Sequence, residues 1–461
     1  MNLSGTSVAQ AVGGRLVAGG EVVANGVSTD TRTVRAGQLF VPLVGERFDG
    51  HDFLTRAMDA GASGAIVQAG VPVALVEGRI HVEVEDTLAA LGDLARAHLA
   101  RLAARRIAIT GSNGKTTTKE LAAVALAAYG ETAKTAGNFN NLVGLPLTAF
   151  TVNETSRFAL FEMGMNHPGE IARLTQIAAP EIGLVTSIGE AHLEGLKTID
   201  AVIAAKGELY AGLAATGTAI VNMRDPGVVR AAEGTPARRR LRVGTGRDMD
   251  VSVEGIRRTG VAGLGATLVV RGKPYDLRLR TLGRHDVWNA ALAVAILVAL
   301  DLEPAAGIEA LERFPGTPGR LHWRPARGGA VNVLDDSYNA NPASMRAGLD
   351  TLAEIARKNG ATRMIAVLGD MRELGERAPS LHEHVGAHAA AVEVDALFAV
   401  GRHAEDLARG FGDGVVCASD CAAILEPLAR FVRAGDWVLV KGSHSLRMER
   451  AVQALLGEET T

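Results

Sequence analysis

Cysteine is nearly absent: the 461 residues contain two, Cys417 and Cys421. That excludes a disulfide framework and leaves too few thiols for a structural zinc site, so a reducing compartment is expected. Their i, i+4 spacing predicts one face of a helix. Aromatic residues make up only 4%, which leaves few platforms for stacking bases. No long basic run is present and the formal net charge is −3, so nucleic acid is not expected as an electrostatic partner. The longest clean apolar run, Ala290–Leu300, falls short of the about 20 residues that a bilayer span takes, and no membrane insertion is expected. The first residues, Met-Asn-Leu-Ser-Gly-Thr-Ser-Val, lack a charged stretch followed by an apolar core, so no signal peptide is expected either. What remains is a cytoplasmic protein, expected to be a monomer.

The composition that is present, 47% hydrophobic and 21% charged, is that of a globular chain. Its length suggests two to four domains. One stretch organises the rest: Ile107-Ala-Ile-Thr-Gly-Ser-Asn-Gly-Lys-Thr-Thr-Thr118. Apolar residues at 107–109 predict a buried strand, Gly111 and Gly114 a tight turn, and Lys115 onward a helix. Strand, glycine turn and helix start make a phosphate cradle: backbone N–H groups and the helix dipole face the anion, lysine adds charge, and a threonine hydroxyl can ligate magnesium. The full Walker pattern would place its first glycine where Ile109 stands, so the motif is the shorter Gly-x-x-Gly-Lys-Thr. An ordinary glycine turn is the competing reading.

Before this stretch, Ala65-Ile-Val and Val73-Ala-Leu-Val76 predict strands, and Leu88–Leu102 a helix with one apolar side. Ser28-Thr-Asp-Thr-Arg32 and Gly45-Glu-Arg-Phe-Asp-Gly-His-Asp-Phe53 could hold a small anion, although residue types alone favour capped turns. A boundary falls near residue 105. Beyond it, Phe158-Ala-Leu-Phe-Glu162, Ile182-Gly-Leu-Val-Thr186 and Thr218-Ala-Ile-Val-Asn222 alternate with helical stretches, the pattern of a parallel sheet covered on both faces. Residues 241–282 predict an antiparallel insertion. Phe314-Pro-Gly-Thr-Pro-Gly-Arg320 marks a second boundary. After it an apolar run closed by glycine recurs at Met364–Gly369, Ala396–Gly401 and Trp437–Gly442, which predicts a second parallel, Rossmann-like sheet with ligands beyond its strand ends.

Several side chains could do chemistry. Glu162 ends a strand one strand downstream of the phosphate turn, where a magnesium ligand belongs. His192, in Gly189-Glu-Ala-His-Leu-Glu194, should share that rim. Lys206 reads by default as an exposed helical lysine; the exception would be a lysine that has taken up carbon dioxide, whose carbamate could bridge a metal. Asn289 can offer its amide to a base edge or cap a helix. Arg320 can reach phosphate or serve only as linker. Asp336, in Asp335-Asp-Ser-Tyr-Asn-Ala-Asn-Pro342, could bind ribose hydroxyls.

Taken in order, these motifs, with Gly137-Asn-Phe-Asn-Asn-Leu-Val-Gly-Leu-Pro146, Glu162-Met-Gly-Met-Asn166 and Lys441-Gly-Ser-His-Ser445, closely resemble the Mur ligases, ATP-dependent amide-forming enzymes of peptidoglycan synthesis. The resemblance implies an α/β protein of three domains. These are a small N-terminal α/β domain for a UDP-sugar (1–104), a central P-loop-type parallel-sheet ATPase domain (105–315) and a C-terminal Rossmann-like domain for an incoming dipeptide (316–461). It implies that Gly111, Ser112, Asn113, Gly114, Lys115, Thr116 and Thr117 wrap the ATP phosphates. Two magnesium ions follow, one on Thr116 and Glu162, the other on His192 and a carbamylated Lys206. Asn289 would read adenine, Asp336 the ribose and Arg320 the phosphates. Ser28 and Asp30 would contact the uridine diphosphate, Asn138, Asn140 and Asn141 the sugar-peptide, and Tyr338, Asn339 and Asn341 the dipeptide. The reaction implied joins D-alanyl-D-alanine to UDP-N-acetylmuramoyl-tripeptide through an acyl phosphate, with Lys115, Glu162, His192 and Lys206 as its catalytic set. Alternatives are a sister ligase adding a third-position diamino acid, folylpolyglutamate synthase, or a nucleotide-switch ATPase. Gly369-Asp-Met-Arg-Glu-Leu-Gly375, where the diamino-acid enzymes carry Asp-Asn-Pro-Arg, disfavours the first.

Overall fold

The computed structural model describes residues 2–45, 48–72, 77–189 and 193–458, without the side chains of Leu193 and Glu194. The expected strand at 73–76 and the expected ligand His192 lie outside the described residues, as do Glu46 and Arg47.

Each of the three segments builds its own sheet. The first forms five strands in the order Arg15–Ala18, Ile80–Val84, Gly64–Gln68, Leu39–Phe40, Val27–Ser28, antiparallel at the first pair and parallel thereafter. The helix Thr87–Ala100, capped by Asp86, packs Leu91 and Leu94 into the core beneath this sheet.

In the central segment the phosphate strand Arg105–Thr110 lies between Phe158–Glu162 and Ile182–Val185, all three parallel. Strands this apolar and buried on both faces are what a helix-covered parallel sheet requires. Because they run together, the turn at 111, Glu162 and the segment after Val185 emerge on one rim. Thr132–Lys134 closes the near edge, while Thr218–Asn222 and Arg239–Gly244 continue the far side in parallel. Residues 251–279 are antiparallel, as expected, but they are not a separate insertion. Val251–Arg258 joins Arg239–Gly244 through Val243 and Val251, so the three further strands extend the sheet to nine. Their apolar face covers the helix Arg284–Ala299, which is buried from Asn289 through Ala299. A helix apolar on every side belongs inside a core; no described helix is long and apolar enough to cross a membrane.

The third segment gives six strands in the order His322–Ala326, Val331–Asp336, Asp436–Lys441, Arg363–Gly369, Ala396–Val400, Val415–Ala418, parallel after the first pair. The three glycine-closed runs are thus adjacent strands. The two cysteines do not share a helix face: Cys417 lies on the edge strand Val415–Ala418 and Cys421 opens the helix Cys421–Phe431. Asp420, between them, accepts a hydrogen bond from Ala423 N as that helix's cap, which ends one element and starts the next.

The central and third segments are clamped away from the rim by Glu354 on the helix Pro342–Lys358. Its carboxylate accepts from Arg284 Nη2 at 2.8 Å and from the buried Arg258 Nη2 at 2.7 Å. These hydrogen bonds, Arg284's first, hold Glu354 down from the ordinary 4.5 to about 2. A carboxylate with a depressed pKa contributes stability above its unfolded value and loses it as pH falls through the folded one. E354Q should therefore destabilise the protein at pH 7 by on the order of 1–2 kcal/mol. The gap to wild type in thermal midpoint should narrow as pH is lowered from 4.5 toward 2.

Candidate nucleotide and ligation site

The turn after the phosphate strand can close only with glycine. Gly111 has φ +145 and a Cβ there would stand 2.0 Å from Thr186 Oγ1; Gly114 has φ +82 and its Cβ would stand 2.6 Å from Asn289 Oδ1. The turn is stitched to the segment following Val185. Asn113 N donates to Ser187 Oγ at 2.9 Å, Ser112 N to the Ser187 carbonyl at 2.8 Å, and Gly189 N to Ser112 Oγ at 2.9 Å. Residues 186–189, which lead toward His192, are therefore part of the cradle. Lys115 opens the helix Lys115–Ala127, and its ammonium folds back on the Gly111 carbonyl at 2.6 Å. Burial pulls its pKa down, Glu162 pulls it up, and the Arg320 charge lowers it again.

Glu162 is 2% exposed. Asn140 Nδ2 donates to its Oε1 at 2.9 Å, whereas the buried Oε2 has no hydrogen-bond partner. Lys119, one helical turn beyond Lys115 and fully buried, lies 3.6 Å from that oxygen while donating to the Thr135 carbonyl at 2.7 Å. Sequence reasoning passed over Lys119; its i+4 spacing from Lys115 was the signal. Lys206 is 1% exposed, against the default reading of an exposed helical lysine. The helix Ile199–Ala211 turns it into the interior, where burial, reinforced by the Lys115 charge, drives its pKa well down. A neutral amine is the form that reacts with carbon dioxide.

The third segment reaches into this rim. Arg320 Nη2 donates to Thr116 Oγ1 at 3.1 Å, and its guanidinium lies 4.4 Å from the Tyr338 ring. Asn341 caps the helix Pro342–Lys358 in a capping box with Ser344, and its Nδ2 donates to Asn113 Oδ1 at 2.6 Å. Next to this contact a pocket of ≈ 130 Å³ is lined by Thr117, Thr281, Asp286, Thr317, Arg320 and Leu321 among others. Thr281 Oγ1, Thr317 Oγ1 and Arg320 Nε are buried there without partners. Nothing in a loop threonine's surroundings in sequence marks these positions.

Other expected residues are committed within the protein. Asn289 is no helix cap: it lies inside the helix begun by Arg284, accepts from Thr118 Oγ1 at 3.3 Å and donates to Asp286 at 3.2 Å. Asp336 accepts from Leu321 N and pairs with Lys441 Nζ at 2.7 Å; burial raises its pKa against the pull of that lysine. Lys441 also donates to the Asn339 carbonyl. Asn141 Oδ1 accepts from Gly144 N at 2.8 Å in the turn that leads into the helix Gly144–Ala149, and Asn138 is exposed. Ser28 and Asp30 close their own turn, with Arg32 hydrogen bonds taking Asp30 down to about 2.

Magnesium asks for few protein oxygens and shares its shell with phosphates and water. Among the described residues no cluster of three His, Cys, Asp or Glu side chains could hold a metal by itself. The Glu162 oxygen that lacks a hydrogen bond, with only the Lys119 ammonium 3.6 Å away, fits a cation held jointly with nucleotide phosphates.

Fold and rim together give three α/β units, the second and third of which meet over a glycine turn that follows a buried parallel strand. Family models match in order: the Mur ligase family catalytic domain over residues 23–99, the Mur ligase middle domain over 109–297, and the Mur ligase glutamate ligase domain over 319–444. The UDP-N-acetylmuramoyl-tripeptide–D-alanyl-D-alanine ligase of Bacillus subtilis is 33% identical over 95% of this chain and 94% of its own. Its Escherichia coli counterpart is 35% identical over 95% of each. MurF from Acinetobacter baumannii superposes with a TM-score of 0.89 at 29% identity over 99% of both chains. MurF ligase from Thermotoga maritima in complex with ADP gives 0.82 at 28% identity over 94% of this chain and 97% of that one. The chain belongs to the Mur ligase family.

Because Arg320 bridges Thr116 and the pocket, R320M should weaken ADP binding by about tenfold, read by calorimetry, without unfolding the protein.

Proposed function

We propose that this chain is an ATP-dependent ligase that joins D-alanyl-D-alanine to UDP-N-acetylmuramoyl-tripeptide, releasing ADP and phosphate and supplying the pentapeptide precursor of peptidoglycan in the cytoplasm. The observation that carries this reading is the meeting, on one rim, of the phosphate turn, the Glu162 oxygen that has no hydrogen bond and two side chains of the third segment, Arg320 and Asn341. Identity of 33–35% to ligases of that name over nearly the whole chain supports the substrates. Residues 1–104 are assigned to the UDP-sugar, 105–315 to ATP and 316–461 to the dipeptide.

A carboxylate resists attack by an amine until an oxygen becomes a leaving group. Transfer of the terminal phosphoryl group of ATP to the tripeptide carboxylate provides one, as an acyl phosphate. The dipeptide amine then attacks the acyl carbon, loses its proton, and the tetrahedral intermediate expels phosphate. Within the turn 111–117, the backbone N–H groups of 114–117 and the Lys115 ammonium hold the phosphates and offset their charge as the two anions approach. Arg320 is assigned to the same charge from the opposite side. Magnesium would lower the repulsion further, held by Thr116 and Glu162 at one position and by His192 and carbamylated Lys206 at the other. Lys119 keeps Glu162 paired within the core. We place the nucleoside in the pocket bounded by Thr281, Thr317 and Arg320. Asn289 stands directly behind its wall through Asp286, and Asp336 through Leu321. Closure of the third segment excludes water from the labile acyl phosphate.

Pure protein given ATP and UDP-N-acetylmuramoyl-tripeptide should release phosphate rapidly only when D-alanyl-D-alanine is added; release indifferent to the dipeptide would favour a nucleotide switch instead. K206A should lose most turnover, on the order of 100-fold or more, and regain part of it with a short carboxylate such as formate or acetate. Full activity of plain K206A would remove the bridging role.

A further inference from the structure

Beside the ligation rim, His444, Ser445, Arg447, Glu449, Arg450 and Gln453 line a second pocket, of ≈ 620 Å³. It follows the strand Asp436–Lys441, on the side of the sheet where the ligation rim lies. The His444 ring stands edge-on to Tyr338 at 5.5 Å; Tyr338 in turn carries Arg320, which reaches Thr116. Neither the Arg447 nor the Arg450 guanidinium has a hydrogen-bond or ion-pair partner among the described residues. Arg447 is also held at φ +52, a backbone conformation that a residue with a Cβ seldom adopts unless its surroundings impose it. Gln453 Oε1 is buried with no partner. Two guanidiniums against the single Glu449 carboxylate leave the lining one positive charge in excess.

We propose that this pocket holds the non-reacting end of the acceptor: Arg447 and Arg450 bind its free carboxylate, and Gln453 Oε1 accepts its peptide N–H. This inference rests on the ligase reading above and adds the residues that choose the acceptor. Guanidinium forks match a carboxylate in geometry as well as charge. Two extended residues span about 7 Å, so a dipeptide anchored here projects its amine past His444 and Tyr338 toward the rim. Fixing the charged end orients the amine, which nothing else in a side chain as small as a methyl group could do.

The test compares D-alanyl-D-alanine with D-alanyl-D-alaninamide as acceptors for wild type, R447M, R450M and the double variant. Wild type should show a KM for the amide about 100-fold above that for the acid. The double variant should raise the KM for the acid to the level of the amide while leaving kcat, the KM for the amide and the KM for ATP within about twofold. Variants that keep the full preference for the acid would overturn the proposal. Wild type that turns over neither acceptor would instead overturn the ligase reading, and the proposal with it. Arg447 is exposed, so R447M alone decides the matter should R450M fail to fold.

Discussion

Everything at the rim depends on how closely two backbones approach at 111–114. Thr186 lies where a Gly111 side chain would be, and Asn289 lies where a Gly114 side chain would be. The absence of both lets the phosphate strand and its neighbour close until Ser112 and Asn113 bond directly to Ser187. Those two N–H groups are thereby consumed in fixing the turn, and the helix that opens at Lys115 is aimed, with its dipole, at the space in front of it. Preorganisation of this kind removes the reorganisation that a flexible loop would need on meeting an anion.

Around the turn, buried charges are arranged in deliberate imbalance. Asp336 and Lys441 form a closed pair within the third segment. Glu162 is paired on one side only: Asn140 takes one oxygen, Lys119 stands near the other, and that other still lacks a hydrogen bond. Lys206 is more extreme, an amine carried inside with a repelling Lys115 for company. Leaving a buried polar group open costs about 1–3 kcal/mol. Such groups gathered near one phosphate turn are best understood as stability exchanged for chemistry.

Much of the architecture could be read from residue order. Continuous apolar runs closed by glycine, such as Met364–Gly369 and Ala396–Gly401, became adjacent parallel strands because such runs suit a sheet covered on both faces. The glycine turn and the strand-end position of Glu162 were legible for the same reason: local pattern alone sets them. The fate of residues 251–279 was not, since whether a hairpin stands alone or extends a sheet is decided by one edge pairing, Val243 with Val251. The cysteine spacing misled because a cap, Asp420, outweighs periodicity. Burial of Lys206 and the open hydroxyls of Thr281 and Thr317 are products of packing between distant elements, which no local pattern carries.

The third segment grips the central one at two separate places, through Arg320 and Asn341 at the phosphate turn and through Glu354 near the other end of the helix that Asn341 caps. The first grip is two polar contacts to groups that the nucleotide itself would engage; the second is a half-buried carboxylate bonded to two guanidiniums, one of them buried. A body pinned firmly at one point and lightly at another swings about the firm one. Glu354 thereby marks the firm end, and Arg320 with Asn341 the end held by two side-chain hydrogen bonds alone.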